Sequence, residues 1–105
     1  MRKMNNQEKK FNQHFFDQVN MRFEFPNLEY IKENVLKYAK VYRKQNVHSC
    51  PFSVVKSKLM NPQYSEQSFY VNTRYNIVVV EENNTIFNAL YLDGKDGYGR
   101  NIQWV

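Results

Sequence analysis

The feature that most constrains this chain is a change of hydrophobic period at Asn61 and Pro62. Before that point apolar residues recur at three- and four-residue steps, the spacing of one helix face. After it they follow the alternation and short apolar runs of β-strands. The chain has 105 residues, an ordinary length for one domain. The period switch therefore predicts an α+β domain over 1–105, with two or three N-terminal helices packed on one face of a C-terminal three- to four-stranded antiparallel meander. Residues 1–8 are polar and are expected to fray.

In the first half, Phe11, Phe15 and Val19 step by four and predict a helix over residues 7–21. Pro26 ends it, because the residue before a proline disfavours the helical region. A second helix is expected over residues 28–45. Asn27 is a suitable N-cap, and Leu28, Ile31, Val35, Tyr38, Ala39 and Tyr42 form its apolar stripe. Glu29 and Glu33 near its start and Lys40, Arg43 and Lys44 near its end complement a helix dipole. A third helix is expected over residues 50–60, with Ser49 as cap, Pro51 in the first turn, and Phe52, Val55 and Leu59 on one face. The β-prone pair Val54 and Val55 makes a strand the rival there.

In the second half, residues 68–73 and 75–82 read as strands, or as one strand with a bulge near Arg74. Asn83 and Asn84 fit a two-residue hairpin turn, since asparagine tolerates positive φ. Residues 85–92 form the next strand. Residues 93–99 hold all three glycines and form a turn or loop, and 100–105 a last short strand. The expected core is Phe15, Val19, Leu28, Ile31, Val35, Val55, Leu59, Val78, Val80, Phe87 and Leu90.

The formal net charge is +5, unevenly spread. Residues 1–60 carry twelve Lys and Arg against five Asp and Glu, and residues 61–105 carry three against five. The sharpest segment is 37–58, with Lys37, Lys40, Arg43, Lys44, Lys56 and Lys58 and no acid. On a helix, Lys37, Lys40 and Lys44 would share one exposed stripe. Tyr38, Tyr42, His48 and Phe52 are interleaved. Clustered cations bind a phosphate backbone by counterion release, and rings beside them can stack on unpaired bases. The same lysines also suit an ordinary solvated helix face, and the tyrosines a core.

The expected function is that of a small basic accessory or regulatory protein. It would bind nucleic acid or a nucleoprotein machine through Lys37, Lys40, Arg43, Lys44, His48, Lys56 and Lys58. An acidic protein surface is the other partner class, and stoichiometric inhibition of another protein a further alternative. An enzymatic alternative is metal-independent RNA cleavage, in which cations stabilise a scissile phosphate and a neighbouring group moves the proton. His48, Arg74, Tyr75 and Arg100 are the candidates, with Lys95 and Tyr98 nearby. The helix-first, sheet-last order and basic character are loosely similar to the RNase toxins of the RelE type, with no motif of that family matched.

Other chemistry finds little support. One cysteine, Cys50, permits no internal disulfide and suits a reducing compartment. Two distant histidines with one cysteine form no recognisable metal-ligand set, and Asp93 and Asp96 lack a calcium-loop pattern. There is no Walker or Gly-x-Gly-x-x-Gly motif, so no cofactor is expected. No apolar run approaches a membrane span and no secretory leader is visible, so a cytoplasmic location is expected, with Met1 or Met4 as the start. Frequent asparagine with scarce alanine and glycine suggests an AT-rich gene, as on phages and plasmids. A dimer through the C-terminal sheet, at a face formed by residues 78–80 and 86–92 or at the exposed edge 102–105, is a further possibility.

Overall fold

The computed structural model describes residues 9–92. β1 (Lys10–Phe11) leads into α1 (Gln13–Arg22). α2 starts as an α-helix at Leu28–Tyr30 and continues as a π-helix over Ile31–Leu36. Then come β2 (Lys40–Tyr42), a 3-10 segment at Lys44–Ser49, α3 (Ser53–Met60) and a 3-10 turn at Pro62–Tyr64. β3 (Ser68–Asn72), a 3-10 turn at Thr73–Tyr75, β4 (Ile77–Glu82) and β5 (Thr85–Tyr91) complete the described chain.

The strands form one mixed sheet in the order β1-β5-β4-β3-β2. β2 through β5 pair antiparallel, and β1 adds to β5 in parallel. The β4–β5 hairpin closes at Asn83 and Asn84, which take φ of 54° and 64°. That is the left-handed pair a two-residue hairpin needs, as the sequence predicts. The β3–β4 connection also requires positive φ, at Asn76 (54°), so residues 68–82 are two strands joined by a turn.

β4 explains why the sheet is covered on both faces. Its Ile77-Val78-Val79-Val80 run does not alternate with polar residues, and all four side chains are buried. Such a run needs an apolar partner on each side. Val78 and Val80 join Phe69, Val71, Leu90, Val55 and Leu59 under α3. Ile77 and Val79 join Tyr70, Ile86, Ala89, Phe15, Val19, Ile31 and Val35 under α1 and α2. The expectation of helices on one face is therefore corrected. The helices divide between two faces because β4 is apolar on both. Of the face suggested for a second copy, Val78, Val79, Val80, Ile86, Ala89 and Leu90 are buried in the core, while Phe87, Asn88, Tyr91 and Leu92 are half-buried.

The second correction concerns residues 28–45. The helix stops after Leu36, and Lys40–Tyr42 pairs with β3 as an edge strand, with Lys40 opposite Val71 and Tyr42 opposite Phe69. Tyr42 is buried against the α3 face while Val41 packs on the α2 face. A triplet whose Val41 and Tyr42 pack on opposite faces of the sheet gains more from extending it than from continuing a helix whose next turn holds exposed Lys37 and Tyr38. The α3 region is helical as expected, but starts later, at Ser53, with Phe52 as its N-cap; Ser49 closes the preceding 3-10 segment instead. α1 starts at Gln13, capped by the Asn12 side chain, because Lys10 and Phe11 are drawn into the sheet. Of the expected core, Leu28 and Phe87 are half-buried and the rest are buried. The loop at 93–99 and the strand at 100–105 lie outside the described residues.

Asparagine does much of the local stopping and starting. Asn12, Asn27, Asn61 and Asn72 each accept a backbone N–H at the start of a helical segment. Asn46 accepts from the Arg43 N–H and donates to the Val41 carbonyl, covering that part of the β2 edge.

One charged side chain is buried in the sheet. Glu81, 8% exposed, accepts a 2.7 Å hydrogen bond from the Tyr70 hydroxyl and pairs with Lys9 Nζ at 3.1 Å. Burial and then the Glu81 hydrogen bond hold the Tyr70 phenol above its ordinary value of 10.0. A raised folded-state pKa means this contribution to stability is complete below pH 10 and is lost as pH rises through the folded value. Tyr70→Phe should lower stability by about 2 kcal/mol at neutral pH, since it removes a bond to a charged acceptor. It should also flatten the fall of the urea midpoint above pH 10. Phe69→Ala should cost about 3–5 kcal/mol, and half-buried Phe87→Ala distinctly less in the same urea titration.

Candidate nucleic-acid interface

The predicted basic segment is redistributed by β2. Lys37, at the end of the π-helix, lies 3.9 Å from Glu33 and stacks its ammonium over Tyr38 at 5.7 Å. Lys40 is on the edge strand, exposed, with Nζ 5.8 Å from the Tyr42 ring centroid. Arg43, Lys44 and His48 follow on the exposed outer side of the 3-10 segment, where Arg43 Nε donates to Ser68 Oγ at 3.0 Å. Lys56 and Lys58 are on α3. Lys58 Nζ sits 4.0 Å from the Tyr64 ring centroid, and burial lowers its pKa. Lys37, Lys40 and Lys44 thus share no helical stripe; Lys37, Lys40, Arg43 and Lys44 follow the chain past the β2 edge, and Lys58 sits apart beside Phe69, Val80 and Leu90.

At that edge lies a cleft of about 380 Å³, lined by Asn34, Tyr38, Lys40, Tyr42, Phe52, Val71, Asn72, Thr73 and Arg74. Four stretches of chain meet there: the π-helix end, β2, the residue before α3, and the β3 end with its turn. Tyr42, Phe52 and Val71 supply apolar lining, the first two in an edge-to-face ring contact of 6.0 Å. Tyr38 is 70% exposed. Lys40 and Arg74 are exposed cations, and the described lining includes no carboxylate. Burial raises the Tyr42 phenol above its ordinary value, so that ring is neutral at physiological pH.

Asn72 ties the cleft together. It is 6% exposed, and its Nδ2 donates to the carbonyls of Asn34 (3.4 Å) and Val35 (3.0 Å). Those carbonyls lie near the end of the π-helix, where intrahelical donors run out. Its Oδ1 accepts from the Arg74 N–H at 3.1 Å. One buried amide therefore links the strand to the segments bearing Asn34 and Arg74.

Among the described residues weighed for RNA cleavage, Arg74 alone lines the cleft. The Tyr75 hydroxyl is 2.8 Å from that of Tyr30, within an aromatic group with Phe25 on the α2 face. His48 is exposed and does not line the cleft. Arg100, Lys95 and Tyr98 lie outside the described residues. Cys50 is buried, with Sγ 3.6 Å from the Phe52 carbonyl. Among the described residues no three His, Cys, Asp or Glu side chains are grouped to hold a metal, and no helix is long and apolar enough to cross a membrane.

The sequence drew attention to Lys40, Tyr38, Tyr42 and Phe52 through composition, and to Arg74 for a separate reason. Asn34, Asn72 and Thr73 carry no composition signal; their place in the cleft depends on the β2–β3 pairing. No family model matches the chain, and neither a curated protein nor a solved structure shows significant similarity to it.

Asn72→Leu keeps the approximate volume and removes three hydrogen bonds. It should cost about 1–3 kcal/mol and speed amide exchange at Arg74, both measurable in one hydrogen-exchange series. Unchanged exchange at Arg74 would mean that the amide does not hold that turn.

Proposed function

We propose that this protein binds nucleic acid through the cationic edge of its sheet, with Lys40 and Arg74 at the cleft and Arg43, Lys44 and His48 beside it. The observation carrying this reading is the cleft itself, where two exposed cations from distant parts of the sequence meet over aromatic lining with no carboxylate among its described residues. Exposed cations on a phosphate backbone gain free energy by counterion release. A small accessory or regulatory protein acting on nucleic acid or a nucleoprotein machine fits that surface. Glu33 lies 3.9 Å from Lys37, Glu81 is buried with Lys9 and Tyr70, and neither lines the cleft.

Cleavage is the weaker reading, because the Tyr75 hydroxyl is paired with that of Tyr30 and neither Tyr75 nor His48 lines the cleft. An acidic protein surface as partner is chemically similar in charge but gives no role to the rings.

Lys40→Ser combined with Arg74→Ser should weaken retention of RNA or DNA. It should also reduce the slope of log affinity against log salt by about 1–2, the loss of up to two phosphate contacts. Lys58→Ser should change the slope little, because that ammonium is already covered by Tyr64. Fluorescence anisotropy from about 50 mM to 200 mM salt measures both. Cleavage of the RNA that is lost in Arg74→Ser would favour the enzymatic reading. No binding at the low-salt end would overturn the proposal and favour a protein partner.

A further inference from the structure

The nature of the strand can be argued further, on the basis of the nucleic-acid reading above. Proteins that read a duplex commonly lay a helix or ribbon with free polar and cationic side chains in a groove. The described helices offer little of that. Arg22 of α1 donates to the Ala89 carbonyl at 2.8 Å. Lys32 of the π-helix lies over Phe11 at 5.7 Å. Lys37 is shared between Glu33 and Tyr38, and Lys58 is seated on Tyr64. Helix cations are thus largely engaged with the protein's own rings, carbonyls and acids. The cations at the cleft are on an edge strand and a turn; Lys40 lies 5.8 Å from the Tyr42 ring centroid and Arg74 5.7 Å from that of Tyr75, and both remain exposed.

The cleft suits an unpaired base. An exposed phenol ring, Tyr38, stands at it, and among the described residues that ring packs against no other ring. Asn34 and Thr73 add polar groups able to meet a base edge. The Asn34 side-chain nitrogen is used on the Tyr30 carbonyl at 3.3 Å, which directs its carbonyl oxygen's role toward accepting. Lys40 and Arg74 supply charge for the flanking phosphates. A ring, an apolar lining and two cations within one concavity of this size match a stacking platform with a charged border. A duplex keeps its bases stacked on each other and gives Tyr38 nothing to cover.

We propose that the protein is specific for single-stranded nucleic acid, with one unpaired base stacked on Tyr38 in the cleft and its neighbouring phosphates on Lys40 and Arg74. The test uses the full chain and a dye-labelled single strand of about 12 nucleotides, in the range such sites cover. Competitors are the matching duplex, an abasic strand of the same length, and a mononucleotide. The intact strand should compete best. Tyr38→Ala should weaken it by about 5- to 100-fold, the span of base–aromatic stacking, and Tyr38→Phe should restore most of the loss. The exposure of Tyr38 makes both variants safe for folding, which circular dichroism checks. Equal competition by the duplex or the abasic strand would overturn the stacking inference while leaving nucleic-acid binding standing. Equal competition by the mononucleotide would assign the cleft to a free nucleotide and also overturn it. Failure of every nucleic acid to bind at low salt would remove both readings.

Discussion

The architecture depends on β4 being apolar on both faces. Four consecutive branched aliphatic side chains alternate up and down, so half of them point to each side of the sheet. Leaving either set in water would forgo roughly 1.5–3 kcal/mol per side chain. The helical half must therefore split, with α1 and α2 on one face and α3 on the other. A chain that covers both faces has to pass around an edge of the sheet between α2 and α3. Residues 37–52 make that passage, and they hold most of the basic segment. Lysines and an arginine on such a passage remain in water and also discourage edge-to-edge pairing. The placement of charge at the β2 edge is thus a consequence of the core, and the cleft forms where the passage begins and the β3 turn returns.

How far the sequence reveals this follows from what each pattern measures. Phe15 and Val19, Ile31 and Val35, and Val55 and Leu59 are four apart with polar Asp17, Glu33 and Ser57 midway. A strand would carry that polar residue onto the buried face while a helix does not, and the structure has each pair buried on a helix. The Asn83 and Asn84 turn is legible because two adjacent residues tolerant of positive φ follow an apolar run. The end of α2 is not legible in the same way. Val35, Ala39 and Tyr42 continue a helical spacing, while the β-prone pair Val41 and Tyr42 also suits a strand covered on both faces. The deciding factor is the free edge of β3, which lies about thirty residues further on. A local window does not contain that partner. The two-sided burial of β4 was visible in its lack of alternation, but an apolar run alone does not say which helices cover it.

Asparagine carries a structural burden that its abundance alone would not reveal. Only three glycines are present, all in residues 93–99, so the described chain must make its left-handed turns without them. Asn76, Asn83 and Asn84 do so; a short polar side chain tolerates that conformation better than most. The same residue type caps helical segments at Asn12, Asn27, Asn61 and Asn72 by accepting a backbone N–H. A compositional bias that suggests an AT-rich gene is therefore also what sets the segment boundaries. Replacing these asparagines as a class by alanine would remove turns and caps together.

Asn72 shows how the core's demands reach the candidate interface. Its side chain is buried next to Val71 and is fully engaged by two π-helix carbonyls and the Arg74 N–H. A binding surface built on an edge strand and a short turn would ordinarily lose affinity to the ordering of its own segments on contact. Here a buried amide already fixes the π-helix end to the turn that bears Arg74, and β-pairing fixes Lys40 opposite Val71. The backbone under the two cations is thus set by interactions that folding requires in any case. Only the side chains of Tyr38, Lys40 and Arg74, all exposed, remain to be ordered by a ligand. The cost of ordering on binding is accordingly confined to rotamers, about 0.5–1.5 kcal/mol for each long side chain. That is an amount a single stacked base or phosphate contact can offset.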